Sequence, residues 1–423
     1  MQQEYAFEMA TSSIRYGPGV TREVGMDLAQ LRVKRAMVVT DPNLVRLRPV
    51  ATVLESLEKE GVRFSLFDQA AVEPTDVSMR AAISFAQQGE FDAYVAVGGG
   101  SAMDTAKAAN LYSTYPADFL DYVNAPIGKA LPVPGPVKPL FAVPTTAGTG
   151  SETTGVVIFD LLGMRAKTGI SHRYLKPTLG LIDPENTRTL PPMVATSTGF
   201  DVLVHALESY TTMPYDQRER PERPILRPAY QGRNPISDLW SSEAIRVAAR
   251  YLPRAVENPE DEEARAKMIL AASYAGVGFG NAGLHLPHGM SYPVSGMARG
   301  YHPPGYPEPL IPHGLSVVLN APAAFRYTGA GCPERHLEAA EFLGADVSRA
   351  KLGDAGDILA DQLIRYMQRL KVPNGLSAVG YTPDDIPALV EGTLPQHRVT
   401  KLSPRPAGRE ELARLFEKSM VIW

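Results

Sequence analysis

Apolar and polar positions along the 423-residue chain change their period once, near residue 190. Before that point short apolar runs of β type recur at 36–40 (AMVVT), 63–67 (RFSLF) and 92–97 (DAYVAV), and LFAVP, VVIFD and LGLID follow. Between the second and third runs, residues 75–90 carry apolar positions at helical spacing behind Thr75 as a cap. Strands alternating with helices predict a doubly wound α/β fold with a mostly parallel sheet. After Pro191-Pro192 the β-type runs fade, and 237–253 (with Ser237 as start signal), 260–276, 334–343 and 354–370 read as amphipathic helices. The pattern predicts two domains, α/β over 1–190 and all-helical over 191–423.

Two stretches offer chemistry. DAYVAV ends in Gly98-Gly99-Gly100-Ser101 and then a helix, a turn in which backbone can approach a ligand and free N–H groups favour phosphate, so a nucleotide pyrophosphate is one guest. A tight strand-to-helix turn needs glycine for its own sake, and that alternative stands. Asp41 after the first run could accept from a ribose hydroxyl or cap a helix. Residues 145–152 (TTAGTGSE) bring further hydroxyls to a strand end, after a proline-rich segment at 126–139 that suits a loop.

In the second half, Asp201 and His205 stand four apart within GFDVLVHALE, which on a helix stacks them on one face about 6 Å apart. An ion pair or a capped core histidine would look the same. Of the eight histidines, however, His285, His288, His302 and His313 cluster some 80 residues later. A carboxylate with three neutral imidazoles suits a divalent ion such as Fe²⁺ or Zn²⁺ with a position left open.

Composition narrows the partners. With 42 Lys+Arg against 46 Asp+Glu the net charge is −4, which speaks against a nucleic-acid or membrane surface and for small molecules. No apolar run is long enough to cross a membrane. Cys332, the single cysteine, excludes an intrachain disulfide and has no adjacent base to make it a nucleophile. Residues 1–20 lack a basic and an apolar leader region, which predicts a cytoplasmic chain. The polar loop at 213–235 carries Arg218, Arg220, Arg223, Arg227 and Arg233, either solvated or binding an anion.

GGGSAMDTAKA, PTTAGTGSE, GFDVLVHALE, HGMSYP and PHGLSV, in this order, give the chain a resemblance to the iron-containing (group III) alcohol dehydrogenase family over nearly its whole length. That resemblance implies a nucleotide-binding α/β domain, a helical metal domain, NAD and Fe²⁺ (or Zn²⁺) as cofactors, and a homo-oligomer. It assigns Asp201, His205, His288 and His313 as metal ligands and leaves out His285 and His302. The cofactor falls on Gly98, Gly99, Gly100, Ser101 and Asp41, with further contacts from Asp104, Thr145, Thr146, Thr149 and Lys167. Many members read H-G-M-x-H, whereas here Tyr292 stands at the second histidine's place, so proton relay would pass to Tyr292, His285 or water. The segments EYAFEMA, IRYG, YTTMPY, DIPALVEGTLPQ and RVTKL resemble a branch of the family that moves hydride from 4-hydroxybutyrate or 3-hydroxybutyrate to 2-oxoglutarate through bound NAD. A conventional NAD(P)-dependent alcohol dehydrogenase and a metal- and nucleotide-binding protein without redox turnover are the alternatives. Lys167 and the arginines of 218–233, among them Arg227 and Arg233, are the expected partners of the substrate carboxylates.

Overall fold

The strand β4 (Ala93–Gly98) is buried at every residue, and this follows from what covers it. In the computed structural model, which describes residues 2–164, 166–297, 300–304 and 309–423, β4 lies inside a six-stranded sheet. The other strands are β1 (Ser13–Tyr16), β2 (Arg35–Val39), β3 (Arg63–Phe67), β5 (Leu140–Pro144) and β8 (Leu179–Ile182), in the order β1-β8-β5-β4-β2-β3. Every pairing is parallel. Alternate side chains enter opposite cores: Val38 and Val95 pack with helices α1 (Val24–Gln30) and α2 (Arg48–Lys59). Met37, Val39, Tyr94 and Ala96 pack with α3 (Asp76–Gly89) and α4 (Gly100–Thr114). A parallel sheet buried on both faces has to read as continuous apolar runs, and it does. VVIFD leaves the main sheet: β6 (Val156–Leu161) pairs antiparallel with β7 (Ala166–Ser171), so Lys167 sits on a strand. The predicted helix over 75–90 is α3, closed by a capping box between Thr75 and Ser78.

These elements form one compact unit, Ala10–Leu190. The second unit comprises Pro191–Trp423 together with Met1–Met9. It is built on α5 (Pro192–Thr211), whose residues from Thr196 onward are almost all buried. Proline at its first position suits the helix start, where an N–H has no partner to lose. Against it pack α6 (Pro235–Glu257), α7 (Glu262–Ala282) and α9 (His313–Val318), while α8 (Leu286–Gly296) packs on α9. Ser209 and Ser241 join α5 to α6 through a buried hydroxyl pair 2.8 Å apart. Asn234, and not Ser237, caps α6, accepting from the N–H groups of Ile236 and Ser237.

Residues 2–9 depart from the expected 1–190 domain, and a buried ion pair is prominent among their contacts with the helical unit. Glu4 is buried and takes both Nε and Nη2 of Arg227 at 2.9 and 3.0 Å. Its backbone N–H reaches Arg218 O, and Glu8 N–H reaches Gln231 Oε1. The arginine loop is thereby tied to the N-terminal segment, and Arg227 is engaged within the fold instead of free for a substrate anion.

Arg227 holds the Glu4 carboxyl down from its ordinary 4.5 to about 2. A depressed folded-state pKa stabilises fully above about 4.5 and loses that contribution as pH falls toward 2. Glu4→Gln should therefore lower the thermal midpoint at pH 7, by about 1.5–3 kcal/mol of stability, and lower it progressively less as pH drops from 4.5. An unchanged wild-type profile in the variant would show that the pair contributes nothing.

Candidate metal centre and nucleotide cradle

Helix α5 presents Asp201, His205 and Glu208 on one face, at i, i+4 and i+7. Two further elements reach that face. His285 and His288 lie at the start of α8, and His313 opens α9. The close approach of α9 depends on Gly314, because a Cβ there would stand 1.9 Å from the Ser197 carbonyl on α5.

Three imidazoles converge on one carboxylate oxygen. The Nε2 atoms of His288, His205 and His313 lie 3.5, 3.7 and 3.8 Å from Asp201 Oδ1. These distances are too long for hydrogen bonds. They suit donors around a shared ion, since ligands about 2.1 Å from a tetrahedral centre stand about 3.4 Å apart. Ligand atoms of Asp201, His205 and His288 fall within 4.8 Å of one another. Asp201 Oδ1, His205 Nδ1 and His288 Nε2 are buried without a hydrogen-bond partner among the described residues. Buried polar atoms are rarely left so, and a cation would satisfy the Asp201 and His288 donors. The residues present thus fit a divalent ion. His313 is the accessible flank, its side chain 25% exposed against 5% or less for the other three.

Charge in this cluster is set by burial and by its neighbours. Burial alone would raise Asp201, yet His205, His313 and His288 keep it well below the usual carboxylate range. Burial pushes His205 down to about 3, which leaves a neutral imidazole with its lone pairs available. Its ring stacks between Phe279 and His288, at centroid distances of 4.1 and 4.4 Å. His288 goes the other way: burial opposes its charge, and the Glu208 and Asp201 carboxylates together carry it up to about 9.

Glu208 was not singled out in the sequence. Fully buried, it takes the Nδ1–H of His288 on Oε2, while Oε1 accepts from the backbone N–H of His285 at 2.9 Å and of His288 at 3.2 Å. That contact fixes Nδ1 as the protonated nitrogen and turns Nε2 toward Asp201. The available signal was its position three residues after His205 on the same helical face.

His285 and His302 stand apart from the cluster. Nε2 of His285 lies 3.0 Å from Thr211 Oγ1, and Thr211 is about 15 Å further along α5 than Asp201 at 1.5 Å per residue. His302 is exposed. Tyr292 is the neighbour on the accessible side, its ring 6.5 Å from His313 and its hydroxyl accepting from Arg398 Nη2 at 2.7 Å.

In the sheet unit, Asp41, Gly98–Ser101, Thr145, Thr146 and Thr149 gather beyond the C-terminal ends of β2, β4 and β5, which are adjacent strands. The chain reverses its direction of strand addition between β2 and β4, the place where doubly wound sheets hold ligands. Gly99 caps α4 with no side-chain hydrogen bond to the first-turn N–H groups, and a Cβ on Gly100 would stand 2.7 Å from Thr149 Cγ2. Asp41 Oδ1 accepts from Asn43 and Leu44 N–H. Two predicted contacts are engaged in the fold. Asp104 receives Ser151 Oγ and Ile158 N, both at 2.8 Å, and Lys167 binds Glu73 at 2.7 Å and Asp160 at 3.2 Å. Although burial opposes its charge, those two carboxylates hold the Lys167 ammonium well above its ordinary value.

Comparison with known proteins agrees with this division. The iron-containing alcohol dehydrogenase model matches residues 11–184, and the C-terminal model of the Fe-containing alcohol dehydrogenase family matches 229–420. A mitochondrial hydroxyacid-oxoacid transhydrogenase of Xenopus tropicalis is 62% identical over 99% of this chain and 92% of its own length. The Homo sapiens protein of the same name is 59% identical over 99% and 91%. Among solved structures, a 1,3-propanediol oxidoreductase matches with a TM-score of 0.86 at 26% identity, covering 98% of this chain and all of its own. A sulfoacetaldehyde reductase from Bifidobacterium kashiwanohense, in complex with NAD+, matches at 0.80 and 26%, over 99% of each chain. The expectation of a cytoplasmic chain is overturned, since these relatives are named as mitochondrial. Targeting is read from segments that take no part in a fold, so composition here was no guide.

Glu208→Gln keeps the size of the side chain and removes the charge behind His288. Divalent-metal affinity should fall about 10- to 100-fold, measured by competition with a chromophoric chelator, with helix content unchanged. Wild-type affinity in the variant would remove Glu208 from the centre.

Proposed function

The chain belongs to the iron-containing alcohol dehydrogenase family, and on that premise we propose that it exchanges hydride between a hydroxy acid and an oxo acid. The donor is 4-hydroxybutyrate or 3-hydroxybutyrate, and the acceptor is 2-oxoglutarate, which leaves as 2-hydroxyglutarate. The observation that carries this proposal is the end-to-end match to relatives named for that exchange. The three imidazoles gathered on a buried carboxylate support the same chemistry.

Asp201, His205, His288 and His313 are the proposed ligands. A divalent ion, Fe²⁺ in keeping with the family's name or Zn²⁺ by the chemistry of the donor set, supplies Lewis acidity at a substrate oxygen when bound, and NAD supplies a carbon that takes and returns hydride. Glu208 keeps His288 in the tautomer that presents Nε2. Tyr292 accepts from Arg398, which leaves its own O–H to be donated, so the exchanging proton is held at Tyr292 Oη. His285, bonded to Thr211, supports the start of α8 instead. In the sheet unit the N–H groups of Gly99, Gly100 and Ser101 receive the pyrophosphate, with Gly98 giving close approach. Asp41 takes the ribose, and Thr145, Thr146 and Thr149 line the same edge. Asp104 and Lys167 hold that edge together from behind.

Donor deuterated at its carbinol carbon, mixed with 2-oxoglutarate and no added NAD, should yield 2-hydroxyglutarate with deuterium at C2. A need for stoichiometric free NAD, or faster turnover of simple primary alcohols, would mark a conventional dehydrogenase. Tyr292→Phe should cut turnover by about 10²-fold with substrate affinity little changed; a near-wild-type rate would move the proton to water.

A further inference from the structure

Among the described residues, four buried cations have carboxylate or carbonyl partners, and Arg398 does not. Lys107 binds the carbonyls of Ser151 and Val156, Lys167 binds Glu73 and Asp160, Arg227 binds Glu4, and Arg335 binds Asp238 at 2.7 Å. Arg398, on the short helix His397–Thr400, has none of these. Its Nη2 donates to Tyr292, its Cζ lies 5.0 Å from the Tyr230 ring centroid, and its Nη1 is buried without a hydrogen-bond partner. Among the described residues no carboxylate comes within ion-pair distance of it. Burial opposes its charge, and the two tyrosines, Tyr292 and Tyr230, together hold the guanidinium above its ordinary value. An enclosed guanidinium without an anion is costly, and such a group in a native fold calls for a missing partner.

Its position identifies that partner. The helix carrying Arg398 lies directly on α8, because a Cβ on Gly289 would stand 2.6 Å from Thr400 Cγ2. Tyr292, one turn further along α8, is therefore directly in front of the guanidinium. Beyond Tyr292 comes His313, and beyond His313 the Asp201 carboxylate. The guanidinium and the accessible flank of the metal centre thus share one tyrosine as neighbour. The residue as a whole keeps partial exposure, while Nη1 itself is covered.

We propose that Arg398 is the carboxylate anchor of the substrate, pairing through Nη1 with the acid group of the molecule whose oxygen-bearing carbon lies at the Asp201 cluster. Guanidinium meets carboxylate in a planar, two-point geometry that a lysine cannot reproduce. This assignment replaces Arg227 and Lys167, both neutralised within the fold. It rests on the hydroxy-acid and oxo-acid function proposed above.

The test uses the full-length, metal-loaded protein with two kinds of substrate. Arg398→Met should raise KM for 2-oxoglutarate and for 4-hydroxybutyrate about 10- to 100-fold, the loss of one charge-assisted contact. Reduction of a neutral C4 aldehyde with added NADH as the hydride source should change far less, and metal content should stay at the wild-type level. Arg398→Lys should recover part of the carboxylate affinity and none of the two-point geometry. Equal losses for charged and neutral substrates in both variants would overturn the anchor, because Arg398 would then act only by orienting Tyr292. Undiminished carboxylate affinity in Arg398→Met, measured also by calorimetric titration with 2-oxoglutarate, would overturn it while leaving the proposed exchange intact. A wild-type protein that does not transfer deuterium between acids refutes the proposed function first, and the anchor with it.

Discussion

A carboxylate sealed inside a helix bundle governs the C-terminal unit. Asp201 is 2% exposed on a helix buried almost throughout, and an uncompensated charge there would cost several kcal/mol. The fold answers with three imidazole nitrogens at 3.5–3.8 Å and with a glycine where α9 meets α5. Glu208 then adds a second buried charge behind the first, balanced by His288 and two backbone N–H groups. Each compensation requires the next element to come close, so the packing of α8 and α9 and the chemistry of the centre have the same cause.

The sheet unit solves a different problem by backbone alone. Its cradle needs N–H groups without side-chain partners at a helix start, and Gly99 and Gly100 supply them by leaving Thr146 and Thr149 room to lie across the turn. Charged side chains near that edge are occupied in holding β6, β7 and α4 together, as Asp104 and Lys167 show. Electrostatics dominates one unit and backbone geometry the other.

What was legible in the sequence follows from range. DAYVAV reads as a buried strand because both of its faces are covered, and Thr75 reads as a cap because its partner Ser78 is three residues away. Asp201 and His205 declare themselves by one helical turn. Helix α2 went unnoticed although Val50, Val53 and Leu57 follow helical spacing, since nothing chemical drew attention to it. Choosing His288 and His313 over His285 and His302 took the family resemblance, because spacing within a loop-broken stretch does not say which ring turns inward. The engagement of Arg227 is not legible in the arginine loop, because its partner lies 223 residues away. Arg398 went unremarked for the opposite reason: its distinction is the absence of a partner, which only packing reveals.

The docking of residues 2–9 onto the helical unit has a consequence during synthesis. Glu4 leaves the ribosome before any of the sheet unit, yet Arg227 follows it by 223 residues, about 10–45 s at ordinary elongation rates. Throughout that interval the sheet unit can complete its parallel strands while the leading segment is still without a surface to bind. The segment that carries Glu4 is thus secured late, only after an arginine 223 residues further along has emerged.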